Sequence, residues 1–270
     1  MKRNTNRVIK YFFILKIALR DKVHDPGRLL LQTIAYSIRV GIFIALYAYA
    51  FRYVGGGIMG VDIHIAAWSM AAYFVLLSVQ MRGVFQDINE DVKNGTVEVM
   101  LNKPFHYLWY RALFKFGTGI PGGVISLVAA FIFLSLFVGL PRTSFDALWI
   151  VQLSVIVFFG LILAALVYVL VGLCAFWIEN ARPVYWIVDK TIMVFGGSYI
   201  PVALFPGALK AFAEYSPFGA SMFATHAFYQ DFSDKWMSLV IIQIAWIVML
   251  GVLVVFFYEK ARKTVSINGG

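Results

Sequence analysis

The chain has 270 residues, 61% of them apolar and 14% charged, with a formal net charge of +9. A water-soluble domain carries about a quarter charged residues, so this composition excludes an ordinary soluble fold and points to a membrane protein. The single cysteine, Cys174, excludes an internal disulfide and a multi-cysteine metal site. The four histidines (His24, His64, His106 and His226) form no H-x-x-x-H spacing.

In chain order, the opening MKRNTNR is polar and basic, and no short apolar region with a small-residue cleavage site follows. The N-terminus is therefore expected to be retained. Residues 7–24 read as an amphipathic helix lying along a membrane surface, basic but with Tyr11, Phe12, Phe13, Ile14 and Leu15 in its apolar part. A membrane crossing needs about 20 mostly apolar residues. Six stretches qualify: 29–51, interrupted by Arg39; 63–81; 116–140; 147–178; 183–205, which carries Asp189 and Lys190; and 236–258. Trp68, Trp149, Trp177, Trp186 and Trp236 near their ends read as interface anchors. Glycines 117, 119, 122 and 123, with Pro121, predict close helix approach at the start of the third stretch, and Gly196-Gly197 predicts the same or a bend in the fifth.

Charge sets the orientation. Eight basic residues precede the first stretch, five lie between the second and third, one between the fourth and fifth, and three follow the sixth. All of these fall on one side of a six-span topology. The other side holds Arg142, Lys210 and Lys235, with Arg52 at a helix end. Both termini are thus expected in the cytoplasm. In this setting the net positive charge serves topology and anionic lipid, and no nucleic-acid partner is expected. The loop 206–235, on the outer side, is too polar for a span and too aromatic for a free loop. Two short helices dipping into the outer leaflet, joined by a turn at Ser216-Pro217-Phe218-Gly219, fit it. No repeat divides the chain, so residues 1–270 read as one membrane domain.

The loop 83–115 is the most informative stretch. Phe85, Ile88 and Val92 stand at helical spacing, so the second span is expected to continue into the cytoplasm. Asn94-Gly95 breaks that helix, and Thr96 to Leu101 predict a short one with Val97, Met100 and Leu101 on one face, stopped before Pro104. Asp87, Glu90, Asp91 and Glu98 form the acidic cluster of this side. Such a helix is either a docking device for a partner or a solvated connector.

Here the sequence resembles the permeases of ABC-2 type transporters, and most of all the bacterial branch with a stand-alone six-span membrane subunit. The resemblance rests on a helical extension followed by Asn94-Gly95-Thr96 and then Leu101-Asn102-Lys103-Pro104, with Gly95, Leu101, Lys103 and Pro104 at the family's motif places. The surface helix, the cytoplasmic termini and the aromatic outer loop extend it over nearly the whole chain. It implies an all-α polytopic fold: six transmembrane helices, an N-terminal surface helix and a re-entrant hairpin between helices five and six. It also implies the membrane subunit of an ATP-driven exporter in the bacterial cytoplasmic membrane, working as a dimer with a second or homologous permease. Each copy would bind a cytoplasmic ATPase subunit through residues 87–104, with the surface helix contacting it too. The chain has no G-x-x-x-x-G-K-[ST] segment, so it is expected to hold no cofactor, with ATP and Mg bound by the partner. The implied substrate is amphipathic: a drug, lipid, glycan or peptide.

Three charges fall inside expected spans. Arg39 lies about 15 Å into the first, and Asp189 and Lys190 about 9 Å into the fifth. They read either as a charged lining or gate of the transport path, or as a structural Arg39–Asp189 pair with Lys190 reaching for headgroups. A membrane-embedded enzyme is the rival with least support, since His64 near Asp62 has no nucleophile beside it. A channel or secondary transporter would show an inverted repeat, which is absent from the sequence.

Overall fold

The computed structural model describes residues 2–268 apart from 24–25, 54–56, 59, 80, 144 and 179. His24, the last residue of the expected surface helix, thus lies outside the described residues. The helices are α1 Lys2–Val23, α2 Pro26–Tyr53, α3 Ile63–Ser78, α4 Gly83–Lys93, α5 Thr96–Leu101, α6 Tyr107–Phe137, α7 Ala147–Leu173, α8 Arg182–Phe195, α9 Gly207–Tyr215, α10 Pro217–Ala220 and α11 Phe232–Asn268. A two-stranded antiparallel ribbon, β1 Gly57–Ile58 and β2 Val61–Asp62, joins α2 to α3. Side-chain caps start two of the long helices: Asp62 accepts from the Ile65 amide at 2.9 Å, and Asp146 from the Trp149 amide at 2.8 Å.

Among the described residues, five helical stretches are long and apolar enough to cross a membrane: Leu29–Tyr53, Ile63–Lys93, Tyr107–Phe137, Ala147–Phe176 and Phe232–Thr264. The expected fifth span, 183–205, is not one helix. α8 has 14 residues, about 21 Å at 1.5 Å per residue, against a hydrocarbon core of about 30 Å. Gly196-Gly197 stops it. A Cβ on Gly196 would lie 2.5 Å from the Ile192 carbonyl oxygen, and Gly197 has φ +84°. The chain then continues through a 3₁₀ turn, Val202–Leu204, into α9. The second span continues beyond its apolar stretch, as expected: α3 ends at Ser78, α4 begins at Gly83, and together they make the stretch Ile63–Lys93.

Val79, just after α3, is closely approached by α6. A Cβ on Gly119 would sit 1.8 Å from the Val79 carbonyl oxygen, and one on Gly117 would sit 2.7 Å from the Ala18 Cβ of α1. Glycine alone permits both approaches, as its clustering in the sequence suggests. Further along, Ser126 of α6 donates to Ser78 of α3 at 2.9 Å. α7 packs along α11, and α1 along α6.

One end of the molecule, the basic end, gathers α1, α4, α5, the start of α6 and the end of α11. Lys10 donates to the Pro104 carbonyl at 2.5 Å, the His106 amide donates to the Tyr11 hydroxyl at 3.2 Å, and the His106 ring lies 5.0 Å from Tyr258. α1 leaves Phe12, Phe13 and Ile17 exposed beside exposed Lys16 and Arg20. At the far end Arg142 pairs with Asp62 at 2.7 Å. There Trp68 donates to the Gly139 carbonyl and Trp149 to that of Ala227, both from buried side chains. These two tryptophans tie loops to helices, whereas the sequence reads them as membrane-surface anchors.

The segment 206–235 is neither free nor a span. α9 and α10 meet at Ser216-Pro217, as the sequence predicts, with Ser216 capping α10. The turn is wedged among helices. A Cβ on Gly160, midway along α7, would lie 2.9 Å from the Ser221 carbonyl oxygen. The buried Gln243 of α11 donates to the carbonyls of Ile156 and Ala220 at 3.1 and 2.9 Å.

Candidate functional site

The site begins with two carboxylates four residues apart on one face of α4 and three polar side chains at the same spacing on α6. Asp91 accepts from the Tyr107 hydroxyl at 2.6 Å, from Arg111 Nε at 2.8 Å and from Arg111 Nη2. It also accepts from the Thr96 hydroxyl of α5 at 3.0 Å. Asp87 takes Lys115 Nζ at 2.9 Å and lies 3.7 Å from Arg111 Nη1. The Arg111 guanidinium sits 5.9 and 5.6 Å from the Tyr107 and Tyr110 ring centres. α4 is thus clamped to the first two turns of α6, and Thr96 ties the root of α5 to the same carboxylate.

Within the acidic cluster, the basic residues of α6 turn Asp87 and Asp91 inward, where both charges are compensated and largely out of water. Glu90 and Glu98 do face solvent. The expected apolar edge of α5 packs inward. Val97 is buried, and Met100 and Leu101 are half-buried against the rest of the protein, because this edge fills the space beside α4. The exposed surface of the tip is Asn94, Gly95, Thr96, Glu98, Val99, Asn102, Lys103 and Pro104, and Val99 is 64% exposed. Gly95 starts α5 from φ +69°, a conformation that side-chain-bearing residues adopt only with strain. Below the tip, burial and the neighbouring Arg262 lower the pKa of His106, with Glu259 opposing. Its ring is therefore neutral at neutral pH.

Arg39, Asp189 and Lys190 are not brought together as expected. Buried Asp189 accepts from the Tyr168 hydroxyl at 2.9 Å across the α7–α8 interface. Its carboxylate lies 4.0 Å from its neighbour Lys190. Arg39 stacks over Phe74, 5.3 Å from the ring centre. No ion pair joins Arg39 to Asp189 among the described residues, since Tyr168 already supplies the donor from an adjacent helix. Lys190 lies over Trp186 at 5.2 Å. Among the described residues no three His, Cys, Asp or Glu side chains are grouped to hold a metal ion.

Tyr107, Arg111, Lys115 and Tyr168 carry these arrangements, and sequence reasoning missed all four. The matching four-residue spacings 87/91 and 107/111/115 could have signalled the first three. Nothing local marks Tyr168.

Long apolar helices, buried intramembrane charge and a clamped helical loop at the basic end define a multi-pass α-helical membrane protein. The sequence profile of the ABC-2 family transporter proteins matches residues 64–269. The chain belongs to that family and is a membrane permease subunit of the ABC transporter class. Comparison with curated proteins returns no match.

Proposed function

We propose that this chain is the membrane subunit of an ATP-driven exporter of the bacterial cytoplasmic membrane, working as a dimer of permeases, with α5 as the tip that enters a groove on a separate ATPase subunit. That partner binds ATP and Mg. The observation that carries the reading is mechanical: α5 presents an exposed face while its root is fastened through Asp91 to α6. A push on the tip therefore reaches a membrane-crossing helix without first melting a loop. The charge asymmetry of the loops supports a cytoplasmic position for the basic end and both termini. In this reading α8 and the 3₁₀ turn after it complete a sixth crossing, with α9–α10 re-entrant from the outer side. The docking surface is Asn94, Gly95, Glu98, Val99 and Lys103, while Asp87 and Asp91 are its foundation.

The test is co-purification of the chain from its native membrane, probing the eluate for a P-loop ATPase subunit. Val99→Asp with Glu98→Lys is expected to abolish co-elution and ATPase stimulation while the chain keeps its gel-filtration profile. A native ATPase that never co-elutes with the unaltered chain refutes the reading.

A further inference from the structure

α1 is tied to α6 at two places. Near its middle, Lys10 donates to the Pro104 carbonyl, and the Tyr11 hydroxyl accepts from the His106 amide at 3.2 Å. Further along, Ala18 lies so close to α6 that a Cβ on Gly117 would meet its Cβ at 2.7 Å. Beside these ties the structure leaves a groove of about 700 Å³. Lys10 and Tyr11 line it on α1, Phe105 lines it ahead of α6, and Trp109 and Leu113 line it on α6.

The walls of the groove are mainly apolar. Trp109 and Leu113 stand four residues apart on one face of α6, and Trp109 is 62% exposed. The polar side chains at its rim are donors. The Lys10 ammonium has three N–H groups, of which the Pro104 carbonyl takes one. The Tyr11 hydroxyl accepts from His106, and its own proton has no acceptor among the described residues. No Asp or Glu lines the groove, and Glu259, near His106, is paired with Arg262 at 3.3 Å. Donors without a matching acceptor select an anion. The place fits a membrane surface, since an exposed tryptophan beside a lysine marks that level and the adjacent Phe12 and Phe13 of α1 are also exposed. Asn94, Gly95, Glu98, Val99 and Lys103, the docking face of the α5 tip, do not line the groove.

We infer that this groove binds one anionic glycerophospholipid of the adjoining bilayer leaflet, with its phosphodiester at Lys10 and Tyr11 and an acyl chain along Trp109 and Leu113. Basic pockets beside membrane helices hold such heads. A zwitterionic head would bring a second cation, for which no carboxylate lines the groove. The bound lipid fastens α1 to Pro104 and so to the base of α5. This assignment goes beyond the transport reading and does not depend on it.

The test uses the full chain in phosphatidylcholine nanodiscs, without any ATPase. The probes are phosphatidylglycerol and phosphatidylcholine carrying the same brominated chains, which quench tryptophan on contact. The quenching that Trp109→Phe removes reports the groove. Phosphatidylglycerol is expected to half-quench Trp109 at about one-fifth of the mole fraction that phosphatidylcholine needs, the preference that one lysine near an anionic head supplies. Lys10→Gln should erase that preference. Lys10→Arg should keep it, which shows that the loss is one of charge and not of folding. Lys16 is an exposed cation on the same helix outside the groove, so Lys16→Gln should leave the preference unchanged. Equal quenching by the two lipids marks ordinary bilayer contact and overturns the inference. A Trp109 that neither lipid quenches marks a protein partner or a second copy in the groove and overturns it too. So does a preference that survives Lys10→Gln, or one that Lys16→Gln reduces as much, because attraction to the basic end would then be diffuse.

Discussion

Asp91 offers a quantitative handle on how the loop is fastened. Its side chain is 9% exposed, and that of Arg111 is 16% exposed. Asp91→Ala removes the acceptor for Tyr107, Thr96 and the Arg111 fork in one step. Deleting one partner of a buried pair costs about 3–5 kcal/mol, much of it from the charge left behind. Arg111 is not left wholly alone, because Asp87 remains 3.7 Å from it. That residual partner and the partial exposure bring the expected cost down to about 2 kcal/mol. The loss should be local, at the junction of α4, α5 and α6, and backbone amide exchange reads it there. At 1.4 kcal/mol per decade, amides of residues 96–101 should exchange roughly 30-fold faster, with those in α7 unchanged. A cycle with Arg111→Met should give a coupling energy of about 2 kcal/mol, since removing both partners leaves no stranded charge. Unchanged protection of α5 in Asp91→Ala would refute the clamp, and so would single effects that simply add.

Three further outcomes follow from the packing and the titrating groups. Gly119→Ala should lower the melting temperature in detergent sharply or abolish folded yield, because its Cβ would meet the Val79 carbonyl at 1.8 Å; Gly251→Ala, with nothing within 4 Å, is the matched control and should be near neutral. Tyr168→Phe leaves buried Asp189 without its hydroxyl donor and should cost about 1–3 kcal/mol, seen as a lowered midpoint that Asp189→Asn partly offsets. Burial pushes His226 from an ordinary 6.5 down to about 4, with Lys235 and Lys210 acting the same way and Asp231 against them. The unfolded imidazole therefore takes a proton between pH 6.5 and 4 that the folded one refuses. Its contribution to stability is complete above about pH 6.5 and is lost as pH falls to 4, about 3 kcal/mol in all. His226→Gln should flatten the melting-temperature profile over that window, and an unchanged profile would count against the buried neutral ring.

Local chemistry made some features legible in the sequence. Runs of apolar residues long enough to cross a bilayer declare a polytopic helical protein without any tertiary knowledge, because lipid accepts little else. Asn94-Gly95 and Pro104 frame the short helix, which spans Thr96–Leu101 as expected. That span follows from backbone terms, a left-handed glycine before the helix and a proline that cannot continue it. The turn at Ser216-Pro217 and the close approach at the glycines of α6 are of the same kind.

What the tertiary structure alone decided concerns direction and partner. Four acidic residues look alike along the loop, yet Asp87 and Asp91 turn inward while Glu90 and Glu98 turn out, because α6 delivers Arg111 and Lys115 to one face of α4 only. The partner of Asp189 is Tyr168, 21 residues earlier, and not the arginine that charge counting proposed. Trp68 and Trp149 are buried by loops that fold back over them. The fifth apolar stretch has the length of a span but breaks at Gly196, where Met222 crowds the backbone. Composition and periodicity say that a residue must be satisfied or buried. The rotation of one helix against another decides which neighbour satisfies it.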